Sequence, residues 1–96
     1  MAYSVELTEI AEADLSAIKP YYRKPLVDAM SQWLIHTPTQ ISRSRIKRLR
    51  LLESPAYRLR VGEYRVYYDV DESEQTETVL RILDKKQSLR YLGGEA

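Results

Sequence analysis

Apolar positions in this chain fall first at every second residue, then at helical spacing, then at every second residue again. Residues 2–7 alternate, which puts Tyr3, Val5 and Leu7 on one side of a first strand. Thr8 stands where a helix N-cap belongs, and the acids from Glu9 onward suit the positive end of a helix dipole. Ala11, Leu15 and Ile18 share one helix face, and Lys19-Pro20 ends that element. Pro25 fits the first turn of a second helix, where a missing N–H costs nothing. In that helix Leu26, Ala29, Met30, Trp33 and Leu34 form a stripe that packs a core, and Thr37-Pro38 closes it. Residues 41–52 hold no clean period. Ile46 and Leu49 would anchor a short third helix, or Leu49 and Leu51 a strand. Ser54-Pro55 marks a loop.

The clearest pattern spans residues 56–70, where two β-branched and aromatic runs flank Gly62-Glu63. A glycine at the first position of a two-residue loop predicts a hairpin closed by a type II′ turn. That loop length sets Val61 opposite Tyr64, Arg60 opposite Arg65, Leu59 opposite Val66 and Arg58 opposite Tyr67. Alternation then gives one face to Leu59, Val61, Tyr64, Val66, Tyr68 and Val70. The other face carries Arg58, Arg60, Arg65, Tyr67 and Asp69, and is expected to meet solvent or a ligand. Two arginines directly opposite each other repel, so a chain that keeps them offers cations to an anion. The acidic run Asp71, Glu72, Glu74 and Glu77 reads as a solvated turn, residues 78–84 as another antiparallel strand, and 85–92 as a final turn or short helix. Gly93-Gly94 is expected to end the ordered chain. The predicted fold is α+β in the order β-α-α-β-β-β, an antiparallel meander sheet with two helices packed on one face. It forms a single domain over residues 1–96.

Charge sharpens the picture more than composition does. Residues 1–42 hold three bases against five acids, whereas 43–60 hold seven bases (Arg43, Arg45, Lys47, Arg48, Arg50, Arg58, Arg60) against Glu53 alone. A net charge of only +1 thus hides a positive patch suited to a polyanion. The chain has no cysteine and one histidine, so no metal or cofactor is expected. His36 falls at the end of the second helix, a place for a dipole partner or a loop residue and not for a base. No signal segment and no long apolar run is visible, which predicts a soluble cytoplasmic protein with no membrane contact. Arginines, lysines and tyrosines remain as the chemical equipment. They suffice for metal-free RNA cleavage, in which a ribose 2′-OH attacks the adjacent phosphorus and cations stabilise the developing charge.

The run 57–68, YRLRVGEYRVYY, and the later run 79–91, VLRILDKKQSLRY, resemble the central hairpin, last strand and basic tail of the RelE/ParE superfamily. These are the toxins of bacterial type II toxin–antitoxin pairs, and the likeness implies their RelE-like microbial RNase fold. RelE-like members cut mRNA in the ribosomal A site, and a cognate antitoxin blocks them by wrapping the basic groove. The resemblance implies catalytic roles for Arg58, Arg60, Arg65 and Lys86, and makes Tyr91 the tyrosine that stacks on a base or assists proton transfer. Lys47, Arg48, Lys85 and Arg90 are expected to bind RNA. Two departures from the family's pattern stand out. Both first-strand cations are arginine, which does not titrate, and Asp84-Lys85-Lys86 replaces a Gly followed by His or Lys and Arg. A ParE-like inhibitor of DNA gyrase without catalysis, or an inactive RNA-binding member, are the alternatives on the same fold.

Overall fold

A computed structural model describes residues 2–49 and 53–91. Its elements are β1 Ser4–Leu7, α1 Glu9–Ala17, α2 Pro20–Leu34, β2 Ile46–Arg48, β3 Tyr57–Val61, β4 Tyr64–Asp71, β5 Thr76–Asp84 and α3 Lys85–Tyr91. The five strands lie in the order β1-β5-β4-β3-β2. β1 runs parallel to β5, and every other pairing is antiparallel. The anticipated α+β meander is present, with a fifth strand added to it, and of the two readings for the last segment the short helix forms.

Thr8 caps α1 as its position requires: its Oγ1 accepts from the Ala11 N–H at 3.1 Å. The same hydroxyl donates to the Leu80 carbonyl at 3.2 Å, joining the helix start to β5. Arg23 on α2 donates from Nη2 to the Ile18 carbonyl at 2.7 Å and the Ser16 carbonyl at 3.2 Å, so α2 satisfies the end of α1.

The hairpin forms in the anticipated register, with Gly62 at φ +58°. No positive φ occurs at Glu63, which is the type II′ pattern. Between Tyr67 and Tyr68 the β4–β5 register shifts: Tyr67 faces Arg81, Tyr68 faces Val79, and Leu80 is the extra residue. This bulge lets Val79 and Ile82 both reach the helix-covered face while Arg81 stays on the other. On the covered face Leu26, Leu34, Ile46, Leu59, Val66, Tyr68 and Val79 are buried against Ala11, Ile18 and Met30. Each fully buried aliphatic side chain of this kind contributes about 1.5–3 kcal/mol.

Three expectations are corrected. The second helix starts at Pro20, not Pro25; Pro20 occupies the first helical position and Pro25 sits inside. The interior proline is tolerated because both it and the Tyr21 it cannot bond are exposed, so that orphan carbonyl meets water. Within 41–52 the strand alternative forms, but at Ile46–Arg48, ahead of the Leu49 expected to carry it. It is centred on Lys47 because Ile46, Lys47 and Arg48 pair with Leu59, Arg58 and Tyr57. Finally, β5 begins at Thr76, so Glu77 is a fully buried strand residue and no part of a solvated turn. The turn is made instead by Asp71, whose carboxylate accepts from the Ser73 hydroxyl at 2.7 Å and the Glu74 N–H at 3.1 Å. The readings placed on Arg50, Leu51, residue 92 and Gly93-Gly94 lie outside the described residues.

Candidate active site

Two cross-strand rows build the face of the sheet that α1 and α2 leave uncovered. Lys47, Arg58, Tyr67 and Arg81 stand side by side across β2, β3, β4 and β5. The next row toward the hairpin turn is Arg60, Arg65 and Leu83. Directly opposed residues share a face, so strand pairing alone brings Arg58, Arg60 and Arg65 together with Lys47 at their border.

This face is less open than the sequence suggests. α3 follows β5 at Asp84, beside the hairpin turn, and folds back over β4 and β5. Its start is held by Asp84 and Gln87, which exchange hydrogen bonds of 2.8 and 3.0 Å. Under it a second small core forms from Leu49, Tyr67 and Leu83, with Tyr91 packed against them. Arg65 is only 9 % exposed. Its Nη1 donates to the carbonyls of Gly62 and Tyr64 at 3.2 and 3.3 Å. The expectation of a solvent-facing Arg65 is therefore corrected: its side chain is buried against its own turn, on a strand that α3 packs over with Ser88 turned inward.

Burial, then the guanidinium of Arg65 and more weakly that of Arg60, hold Arg58 below the usual arginine range, and the Tyr67 phenol offsets part of this. Three cations are thus concentrated where a polyanion would relieve their repulsion. Tyr91 ends α3 with its ring 5.2 Å from that of Tyr67 and 5.6 Å from the Arg81 guanidinium. Burial raises its phenol above the usual range, with Arg81 pulling the other way. Tyr67 is fully buried, and its hydroxyl has no hydrogen-bond partner among the described residues. The arrangement can bind an anion, stabilise added negative charge on it and set the Tyr91 phenol beside it.

The remaining cations separate. Lys85 and Lys86 stand exposed in the first turn of α3, near the hairpin turn. Arg90 is exposed and borders a depression of about 290 Å³ with Arg81, Leu83, Gln87 and Tyr91. Arg48 lies away from the cluster. Strand alternation turns it to the helix side, where its Nη1 donates to the Leu49 and Ala56 carbonyls, both at 2.9 Å, and its guanidinium lies 5.3 Å from the Tyr57 ring. His36 is exposed beyond α2. No group of three or more His, Cys, Asp or Glu side chains that could hold a metal occurs among the described residues.

Sequence reasoning missed Arg81 and Asp14. Arg81 donates to Asp14 through Nε at 2.8 Å and Nη2 at 3.1 Å, and the Ile82 N–H donates to the same carboxylate at 3.0 Å. Sixty-seven residues separate the pair, and no local pattern announces such a contact.

A family model described as the ParE toxin of the type II toxin–antitoxin system, parDE, matches residues 5–89. No curated protein sequence matches. Among solved structures, the RelBE2 toxin–antitoxin complex of Mycobacterium tuberculosis is similar at 26 % identity and a TM-score of 0.76, covering 88 % of this chain and 93 % of that one. The isolated Escherichia coli RelE toxin shares the fold at 17 % identity and a TM-score of 0.69, over 95 % and 99 % of the two chains. So does the RelB–RelE complex of Methanococcus jannaschii, at 20 % identity and 0.64 over 90 % and 96 %.

Proposed function

The chain belongs to the ParE toxin family of type II toxin–antitoxin systems, within the RelE/ParE superfamily, and from that premise we propose that it is an endoribonuclease that cuts mRNA on the ribosome. The observation that carries this reading is the convergence of Arg58, Arg60 and Arg65 on one sheet face with Tyr91 beside them. An apolar docking surface has no use for three mutually repelling guanidiniums, whereas a phosphodiester does.

In the proposed step the ribose 2′ oxygen forms a bond to the neighbouring phosphorus and the bond from phosphorus to the 5′ oxygen breaks. The products are a 2′,3′-cyclic phosphate and a 5′-hydroxyl. The arginines stay protonated throughout, so they bind the phosphate and stabilise the charge that builds on it. They cannot move protons. Of the residues in the site, Tyr91 has a hydroxyl that could do so, with the fully buried Tyr67 packed against its ring, and the exposed Lys86 at the start of α3 is the further candidate donor. Lys47, Lys85 and Arg90 are exposed at the border, where they suit flanking phosphates.

The partner is a cognate antitoxin, by likeness to the complexes from Mycobacterium tuberculosis and Methanococcus jannaschii. An acidic segment on it would suit the exposed Lys47, Arg60, Lys85 and Arg90. A second reading is favoured by the ParE description of the matching family: inhibition of DNA gyrase by binding alone. Cell-free translation with the purified chain, run beside a DNA supercoiling assay, separates the two. New mRNA 5′ ends mapped within codons support cleavage. Loss of supercoiling with intact mRNA supports the gyrase reading and removes the nuclease.

A further inference from the structure

Tyr91 belongs to the proposed site, yet it ends a seven-residue helix at the edge of the described chain. A ring used to stack on a base or to pass a proton needs a fixed place, and a short terminal helix has little strength of its own. Two contacts supply that place. The Tyr91 ring packs on the fully buried Tyr67, and the Arg81 guanidinium lies over it at 5.6 Å. Arg81 is in turn fixed by both oxygens of Asp14, and Asp14 is fixed by the Ile82 N–H.

The geometry of this pair differs from that of an ordinary surface ion pair. The Asp14 side chain is 14 % exposed and the Arg81 side chain 32 %. The contact is forked, which sets the plane of the guanidinium as well as its position. The other ion pair among the described residues, Lys24 with Asp28, is a single exposed contact within one helix. Asp14 also closes a gap in the sheet: β1 stops opposite Val79, so beyond it the outer edge of β5 has no strand neighbour. There the carboxylate takes the Ile82 N–H that a longer β1 would have bonded.

We propose that Asp14 and Arg81 form a clamp that positions Tyr91 over Tyr67 at the border of the arginine cluster, making Arg81 a positioning residue for the RNA chemistry. The inference rests on the nuclease reading for its purpose and on the contacts above for its geometry. Arg81 does not reach the scissile phosphate in this scheme. It acts through the ring it holds, and the cation beside that ring also favours the ionised phenol.

The test uses the full chain with tyrosines labelled at the ring Cζ, the Tyr91 signal being assigned by its loss in Tyr91→Phe. Arg81→Gln and Asp14→Asn are expected to shift that signal. Arg81→Gln should also move the Tyr91 titration midpoint upward, because the cation that favours the phenolate is gone. Arg81→Lys keeps the charge but loses the fork, so it should restore the midpoint more than the signal's position. Cleavage of mRNA should fall roughly 10- to 100-fold in Arg81→Gln, in kcat more than in KM, as expected for a misplaced group. A Tyr91 signal indifferent to both substitutions overturns the clamp, and so does a displaced Tyr91 with undiminished cleavage. Wild-type protein that cuts no mRNA overturns the nuclease reading instead, a result that the NMR arm distinguishes from failure of the clamp. Thermal melts of the same variants exclude unfolding as the cause of either change.

Discussion

Replacing Glu77 by glutamine should remove most of the pH dependence of this protein's stability. Glu77 lies on the helix-covered face of β5, opposite Val70 on β4 and Val5 on β1. It is fully buried, and neither carboxyl oxygen has a hydrogen-bond partner among the described residues. Burial pushes its pKa from 4.5 up to about 8. The phenol of Tyr68 faces the same region and is itself raised, first by burial and then by Glu77, with Tyr57 adding to the effect. At neutral pH the folded chain therefore keeps a proton on Glu77 that the unfolded chain has released. Wherever the folded state binds more protons, stability falls as pH rises. The loss begins near pH 4.5 and is complete by about pH 8. At about 1.4 kcal/mol for each pH unit between the two values, the full effect is roughly 4–5 kcal/mol, a large share of the ~5–15 kcal/mol that holds a small domain together. Glutamine keeps the shape and the buried polar end but cannot ionise. Urea unfolding followed by Trp33 fluorescence between pH 4 and 9 measures the difference. Wild type and Glu77→Gln should agree within about 1 kcal/mol at pH 4 and separate by several kcal/mol at pH 8 to 9, the variant being the more stable. Parallel profiles across that range would mean that Glu77 ionises in the fold without penalty, and would refute the reasoning.

Arg65→Ala should destabilise by about 1–3 kcal/mol, since the packing of a side chain only 9 % exposed and two long hydrogen bonds to the turn are lost, while relief of repulsion by Arg58 and Arg60 offsets only part of this; the same change should cut mRNA cleavage ~10²–10³-fold, read from mapped 5′ ends beside a thermal melt. Gly62→Val should destabilise by about 1–2 kcal/mol, because a side chain at φ +58° strains the backbone even though a Cβ there meets nothing within 4 Å; unchanged melting would rule out that turn. Tyr91→Phe should lower cleavage modestly if the ring only stacks, and nearly as far as Arg65→Ala if its hydroxyl carries a proton. Antitoxin affinity should fall as salt rises, through screening of the exposed lysines and arginines; titrations at low and high ionic strength that coincide would point to a purely apolar interface.

The hairpin could be read from the sequence because everything that sets it is local. Gly62 permits the turn, two residues of loop fix the register, and period-two alternation assigns Leu59 and Val66 to one face and Arg58 and Arg60 to the other. The Thr8 cap and the Leu26, Met30 and Leu34 stripe were legible for the same reason. Four features were decided only by contacts distant in sequence. Pro20 and Pro25 offer the same local signal, and packing of α2 against the sheet chose between them. β2 is three residues long and exists because β3 gives it an edge to pair with. Glu77 looks like one more acid in a solvated run until strand pairing with Val5 and Val70 turns it inward. The arginine face was foreseen, but not that α3 would fold back over β4 and β5, that Arg65 would be buried, or that Asp14 would reach Arg81 and through it Tyr91. Periodicity reports which way a side chain points from its own backbone. What then covers that side chain depends on chain closure over tens of residues, and only the tertiary structure supplies it.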